Sequence, residues 1–158
     1  METKVIKIRS GEYTARDNEV VECYGNSKVN AIGNSNVTAY DFSLVRAFDN
    51  SNVIAYGNAE VKAYGNARVR AYRNARVIAE ENSIVEVFGN SKVEVFGNSK
   101  VKAYGRSQVT ARFHNSNIYA YHSSTVRAFD FSKVKTHHNS KISGIPISYL
   151  FNNQPLPF

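Results

Sequence analysis

The side chains able to do chemistry in this sequence are few, and their spacing is poor for catalysis. The four histidines, His114, His122, His137 and His138, all fall in the C-terminal third. His122 and His138 stand sixteen residues apart. Two imidazoles without a carboxylate or third ligand make a weak metal site, and water-facing turn histidines account for them as well. The adjacent Glu80 and Glu81 resemble an acid/base pair in composition only, because neighbours on an extended strand point to opposite faces. Cys23 is the single cysteine, so no internal disulfide framework exists. Its position is usually alanine, which reads as a small core residue. The expectation is a protein that is not an enzyme, with no metal and no cofactor.

Charge is the second feature with chemical content. The 158-residue chain carries a net +7 at pH 7, which favours nucleic acid, an acidic protein surface or an anionic membrane as partner. The start, Met1-Glu2-Thr3-Lys4-Val5-Ile6-Lys7-Ile8, has no apolar stretch of the signal-peptide kind. No segment approaches the roughly twenty apolar residues that span a bilayer. The expected setting is cytoplasmic, without a membrane partner.

These residues are positioned by an internal repeat. Val61-Lys62-Ala63-Tyr64-Gly65-Asn66-Ala67-Arg68 is followed by Val69-Arg70-Ala71-Tyr72-Arg73-Asn74-Ala75-Arg76. The consensus is V-x-A-(Y/F)-G-N-(S/A)-x. Its first position recurs every eight residues from Val21 to Val109; one extra residue enters around Phe113 to Asn117, and the phase resumes at Ile118, Val126, Val134 and Ile142. Ser or Ala, Val and Ala alternate with polar residues, the period-two signature of a half-buried strand. Gly-Asn supplies a turn, since both tolerate positive φ, and its recurrence excludes a helix. The side chains of Asn26, Asn34, Asn50, Asn58, Asn66, Asn74, Asn82, Asn90 and Asn98 are expected to hydrogen-bond along the turns.

The reading is therefore all-β: a single-stranded parallel β-helix, or β-solenoid, forming one domain over 1–158. Residues 1–12 read as an N-terminal cap, 13–143 as the solenoid, and 144–158, with Pro155 and Pro157, as a C-terminal cap or tail. Two octads would give a flat sixteen-residue coil and three a triangular twenty-four-residue one, and the aromatic fourth position favours two. Its exceptions before the insertion, Arg16, Ile32, Glu80 and Arg112, differ by multiples of sixteen. Two octads per coil place them on one edge and give about eight coils, a rod of roughly 38 Å. The opposite edge is then an unbroken aromatic row, Tyr24, Tyr40, Tyr56, Tyr72, Phe88, Tyr104 and Tyr121, suited to self-association. In the same register one face carries Arg68 and Arg70, Lys100 and Lys102, and Lys133 and Lys135, alternating with Ile84 and Glu86 and with Asn117 and Tyr119. This basic ladder is the expected partner-binding surface.

The unit Ala63-Tyr64-Gly65-Asn66-Ala67 resembles the short-repeat β-solenoids of bacteria and phages. It is similar to the octad-like halves of the sixteen-residue repeat in ice-nucleation proteins, where Tyr-Gly-Ser and Thr-x-Thr recur; bactofilin-like polymer-forming proteins are similar in architecture. Thr-x-Thr occurs nowhere here, and the matching outward positions carry Lys, Arg and Glu, which speaks against ice binding. The resemblance implies a solenoid fold and supplies no functional residue. The expected function is macromolecular binding by a protein or nucleoprotein partner, in the manner of a phage or mobile-element inhibitor or adaptor acting on a nucleic-acid-handling complex. The alternative is a polymer-forming or self-associating scaffold, homodimeric or larger.

Overall fold

A computed structural model describes residues 4–112, 115–129 and 132–144. His114, Phe113 and the segment from 145 onward, which includes nearly all of the expected C-terminal cap, lie outside the described residues. Within them the chain forms eighteen short strands, from Val5–Ile8 to Lys141–Ser143, and no helix. No helix long and apolar enough to cross a membrane is present among the described residues.

Each strand occupies the last position of one octad and the first three of the next, as in Arg68–Ala71 and Arg76–Ala79. Its second and fourth residues point inward and are buried along most of the array, while the other two face out; at the ends Ile6, Ile8 and Val134 are half-buried and Thr136 is exposed. Alternate strands fall into alternate sheets, giving two nine-stranded parallel sheets. The sheet beginning with Val5–Ile8 is termed sheet 1, and the one beginning with Glu12–Ala15, sheet 2. Val69 pairs with Val85 and Val85 with Val101; Val61 pairs with Val77 and Val77 with Val93. Each coil is therefore sixteen residues, as the aromatic exceptions indicated. Tyr72 stacks on Phe88, not on Phe96 as a three-octad coil would require.

The core lies between the sheets as continuous ladders of Val and Ala, with Val21, Val45, Val61, Val85 and Val101 fully buried. Burying a valine is worth roughly 1.5–3 kcal/mol against leaving it exposed. Position seven also points inward: Ser27, Ser43, Ser91 and Ser124 are fully buried. Each donates its hydroxyl to the main-chain carbonyl three residues back, at 2.7–2.8 Å. Cys23 occupies an alanine rung of this core; burial pushes its thiol pKa up.

The turns differ from expectation in one respect. The intercoil bonds there are made by the main chain, with Asn58 N–H donating to the Asp41 carbonyl at 2.9 Å and Asn66 N–H to the Asp49 carbonyl at 2.8 Å. The Asn side chains face water and form no hydrogen-bonded ladder among the described residues. The preceding position takes the left-handed conformation, at Gly97 with φ 73°. A Cβ on Gly97 would lie 2.8 Å from the Glu81 nitrogen of the coil before, so close stacking as well as φ favours glycine there. Three acids at that position reach back one coil with their carboxylates. Asp41 accepts from Gly25 N–H at 3.1 Å, Asp49 from Gly33 at 3.0 Å and Glu81 from Gly65 at 2.9 Å.

At the N-terminus, Val5–Ile8 falls within the segment read as a cap yet is the terminal strand of sheet 1. Ile6 and Ile8 stand over Val21 and Cys23, an offset of fifteen residues.

Candidate functional site

The outward positions of sheet 1 bring all six residues of the basic ladder together. One row runs Arg68, Ile84, Lys100, Asn117, Lys133; the neighbouring row runs Arg70, Glu86, Lys102, Tyr119, Lys135. All six cations are exposed. The strand spacing sets successive cation pairs about 9.6 Å apart along the axis, and the two members of a pair about 6.6 Å apart across it.

The two rows differ electrostatically. Glu86 accepts from Arg70 on one side at 3.2 Å and from Lys102 on the other at 3.3 Å. Its carboxylate raises the Lys102 pKa. Lys135 lies over the Tyr119 ring, 6.0 Å from its centroid. Arg68, Lys100 and Lys133, by contrast, make no ion pair among the described residues. The earlier half of sheet 1 is nearly neutral, with Asn36, Thr38, Asn52 and Ile54 outward. Positive charge is thus concentrated in the C-terminal half of this face.

Sheet 2 carries a second set of cations, which the reading of the sequence did not take as a binding surface. Lys28, Arg46, Lys62, Arg76, Lys92 and Arg127 face outward, interspersed with Glu12, Glu60 and Glu94. The sixteen-residue register that revealed the first ladder contained this one too. Carboxylates are more frequent on sheet 2, and Lys28 is held by Glu12 at 3.0 Å.

The aromatic edge is a continuous column. Tyr24, Tyr40, Tyr56, Tyr72, Phe88, Tyr104 and Tyr121 stack with centroids 4.8–5.5 Å apart. His137 continues it, 4.9 Å from Tyr121, and the Arg9 guanidinium covers the Tyr24 end at 5.5 Å. Tyr24 donates to Glu22 at 2.7 Å, and that bond pushes its pKa up to about 12. The rings are half-buried, with their faces against one another and their rims toward water.

The remaining candidates stay apart from any reactive centre. His122 and His138 stack at 5.5 Å, 5° from parallel, and no cluster of three metal-ligating side chains exists among the described residues. Glu81 sits in a turn, not on a strand as expected, with its carboxylate engaged by Gly65 N–H; Glu80 lies on the opposite edge from the aromatic column, between Tyr64 and Phe96. No family model, curated protein or solved structure matches this chain. The functional reading therefore rests on the chemistry of the two faces and the edges between them.

Proposed function

We propose that this chain is a non-enzymatic binding solenoid that docks an anionic macromolecular surface on the C-terminal half of sheet 1. The observation that carries the reading is six exposed cations on three alternate strands, opposed on that half by Glu86 alone. A parallel sheet holds them in a fixed grid, so little order must be imposed on binding. The same proposal assigns the chain as an inhibitor or adaptor in a cytoplasmic setting, acting on a nucleic-acid-handling complex of phage or mobile-element type. Replacing Arg68, Arg70, Lys100 and Lys102 with Ser should weaken binding to a duplex DNA probe and flatten its salt dependence. The control replaces Lys28, Arg46, Lys62 and Arg127 on sheet 2. Equal loss from both sets would reduce the reading to bulk charge, and no loss from the first would end it.

A second reading, self-association, is favoured by a different observation. Val5–Ile8 and Glu12–Ala15 each pair on one side only among the described residues, and unpaired strand edges template further pairing. Light scattering across a concentration series distinguishes it: a constant monomer mass would exclude an end-to-end scaffold.

A further inference from the structure

A groove of about 820 Å³ runs lengthwise where the aromatic edge turns into sheet 2. One wall is the second turn residue of successive coils, Asn58, Asn74, Asn90 and Arg106; the other is the first outward strand position, which includes Arg76 and Lys92. Between the walls the chain passes through Ala59, Ala75, Ser91 and Ser107, whose side chains are fully buried, so the floor is main chain. Phe42, 66% exposed, stands at the N-terminal end.

The groove combines three chemistries in register. Each asparagine amide both donates and accepts, and among the described residues Asn58, Asn74 and Asn90 leave those side-chain groups unengaged. Arg76, Lys92 and Arg106 add positive charge and form no ion pair among the described residues; Glu60 is the one acid of the lining. Phe42 offers a flat apolar ring. The pattern repeats about every 4.8 Å, close to the length of one sugar ring in an extended chain.

We infer that this groove binds a linear acidic polysaccharide, a chain of carboxylate-bearing sugar rings. Ring hydroxyls meet the amide row, ring carboxylates meet the cations, and the C–H face of a terminal ring lies on Phe42. An extended peptide is a poorer occupant, because the floor has no open edge: Arg76, Lys92 and Gln108 N–H already donate to the Ala59, Ala75 and Ser91 carbonyls at 3.0 Å. Single-stranded nucleic acid is also poorer, since sequence-tolerant binding there relies on repeated aromatic platforms and this lining contains one ring.

The test is calorimetric titration of the full chain with oligogalacturonides of increasing length. The groove extends over about 19 Å, so affinity should climb to about four rings and then level off. Neutral glucan oligomers of the same lengths should not bind. Asn74→Ala with Asn90→Ala should weaken binding roughly tenfold through lost hydrogen bonds, at unchanged net charge. Arg76→Ser with Lys92→Ser should weaken it at least as much. Arg46→Ser with Arg127→Ser, outward on sheet 2 but outside the groove lining, should leave it unchanged. Circular dichroism and thermal melts verify that each variant is folded. Absence of saturable binding, indifference to the two asparagines, or equal loss from the Arg46 and Arg127 pair would each overturn the assignment. So would single-stranded DNA that binds the groove, with sensitivity to the asparagine pair, while the oligogalacturonides do not.

Discussion

Tyr121 lies flat on Tyr104, ring centroids 4.8 Å apart and planes 7° from parallel. Seventeen residues separate them, where sixteen separate every earlier pair in the column. The additional residue falls, in sequence, between Ala111 and Ser116. Beyond it Val101 again stands over Ile118 and Ala103 over Ala120. Register is held by the inward ladders, because a one-residue slip would turn every core side chain outward.

Disrupting such a ladder should therefore be costly at a single rung. Val69 is 2% exposed at mid-array. Val69→Asp buries a carboxylate without a partner and should lower stability by on the order of 3 kcal/mol or more. Arg68→Asp, one residue away and facing water, should stay within about 0.5 kcal/mol of wild type. Chemical denaturation followed by far-UV circular dichroism measures both; equal midpoints would contradict the inward placement of Val69.

The architecture was legible because two periodicities coincide: alternation along the strand and sixteen residues between aromatic exceptions. Glu80 and Arg112 betrayed the coil length by sharing an edge. The first strand was less visible, since Ile6 and Ile8 stand where Val and Ala recur and no Gly-Asn turn precedes Val20. The asparagines misled for a physical reason. Their recurrence in the repeat reflects a turn whose main chain makes the intercoil bonds, leaving the amides to water. The sheet 1 cations were legible in full, whereas the restraint of Arg70 and Lys102 by Glu86 required side-chain geometry. The groove could not be read from either row alone.

Glu86 lies between two cations, the place an incoming phosphate would take if sheet 1 binds DNA as proposed. Glu86→Gln should release Arg70 and Lys102 and tighten binding to a DNA duplex. The salt dependence should steepen by as much as about 2 in logarithmic slope, near 0.9 for each further phosphate neutralised. Stability should hardly change, because these pairs are exposed. Titrations at several salt concentrations decide the matter, and a weakened or unchanged affinity would remove Glu86 from this role.

Two buried serines that look equivalent in sequence should respond differently to the same change. The Ser43 hydroxyl donates to the Tyr40 carbonyl at 2.7 Å, whereas the Ser51 hydroxyl is buried without a hydrogen-bond partner. Ser43→Ala should cost about 1 kcal/mol, and Ser51→Ala should be neutral or stabilising by a similar amount. Alanine already fills the same inward position at Ala59, Ala67 and Ala75, so the fold tolerates it. Paired denaturation curves test the contrast; a larger loss from Ser51→Ala would refute it.

The end of the aromatic column should be sensitive to alkali. Glu22 accepts the Tyr24 hydroxyl and raises its pKa to about 12. A raised pKa means that the neutral phenol is favoured in the folded chain. Its contribution is complete below the ordinary tyrosine value near 10 and is lost as pH rises through about 12. Glu22→Gln should return part of the phenolate absorbance titration toward lower pH and shift the alkaline unfolding transition the same way. An unchanged titration would show that the Tyr24–Glu22 bond does not govern it.

Because both sheets are parallel stacks, their main-chain hydrogen bonds point along the rod. Tension applied at its two ends would load successive coils in series, opening one rung at a time like a zipper, in contrast to the shear resistance of strands pulled along their length. Each coil released would lengthen the chain by about 55 Å, the reach of sixteen extended residues. The same rod compressed or bent resists through its packed Val and Ala ladders. Such a rod would yield at an end one coil at a time, so whatever grips it there would dismantle it progressively and not all at once.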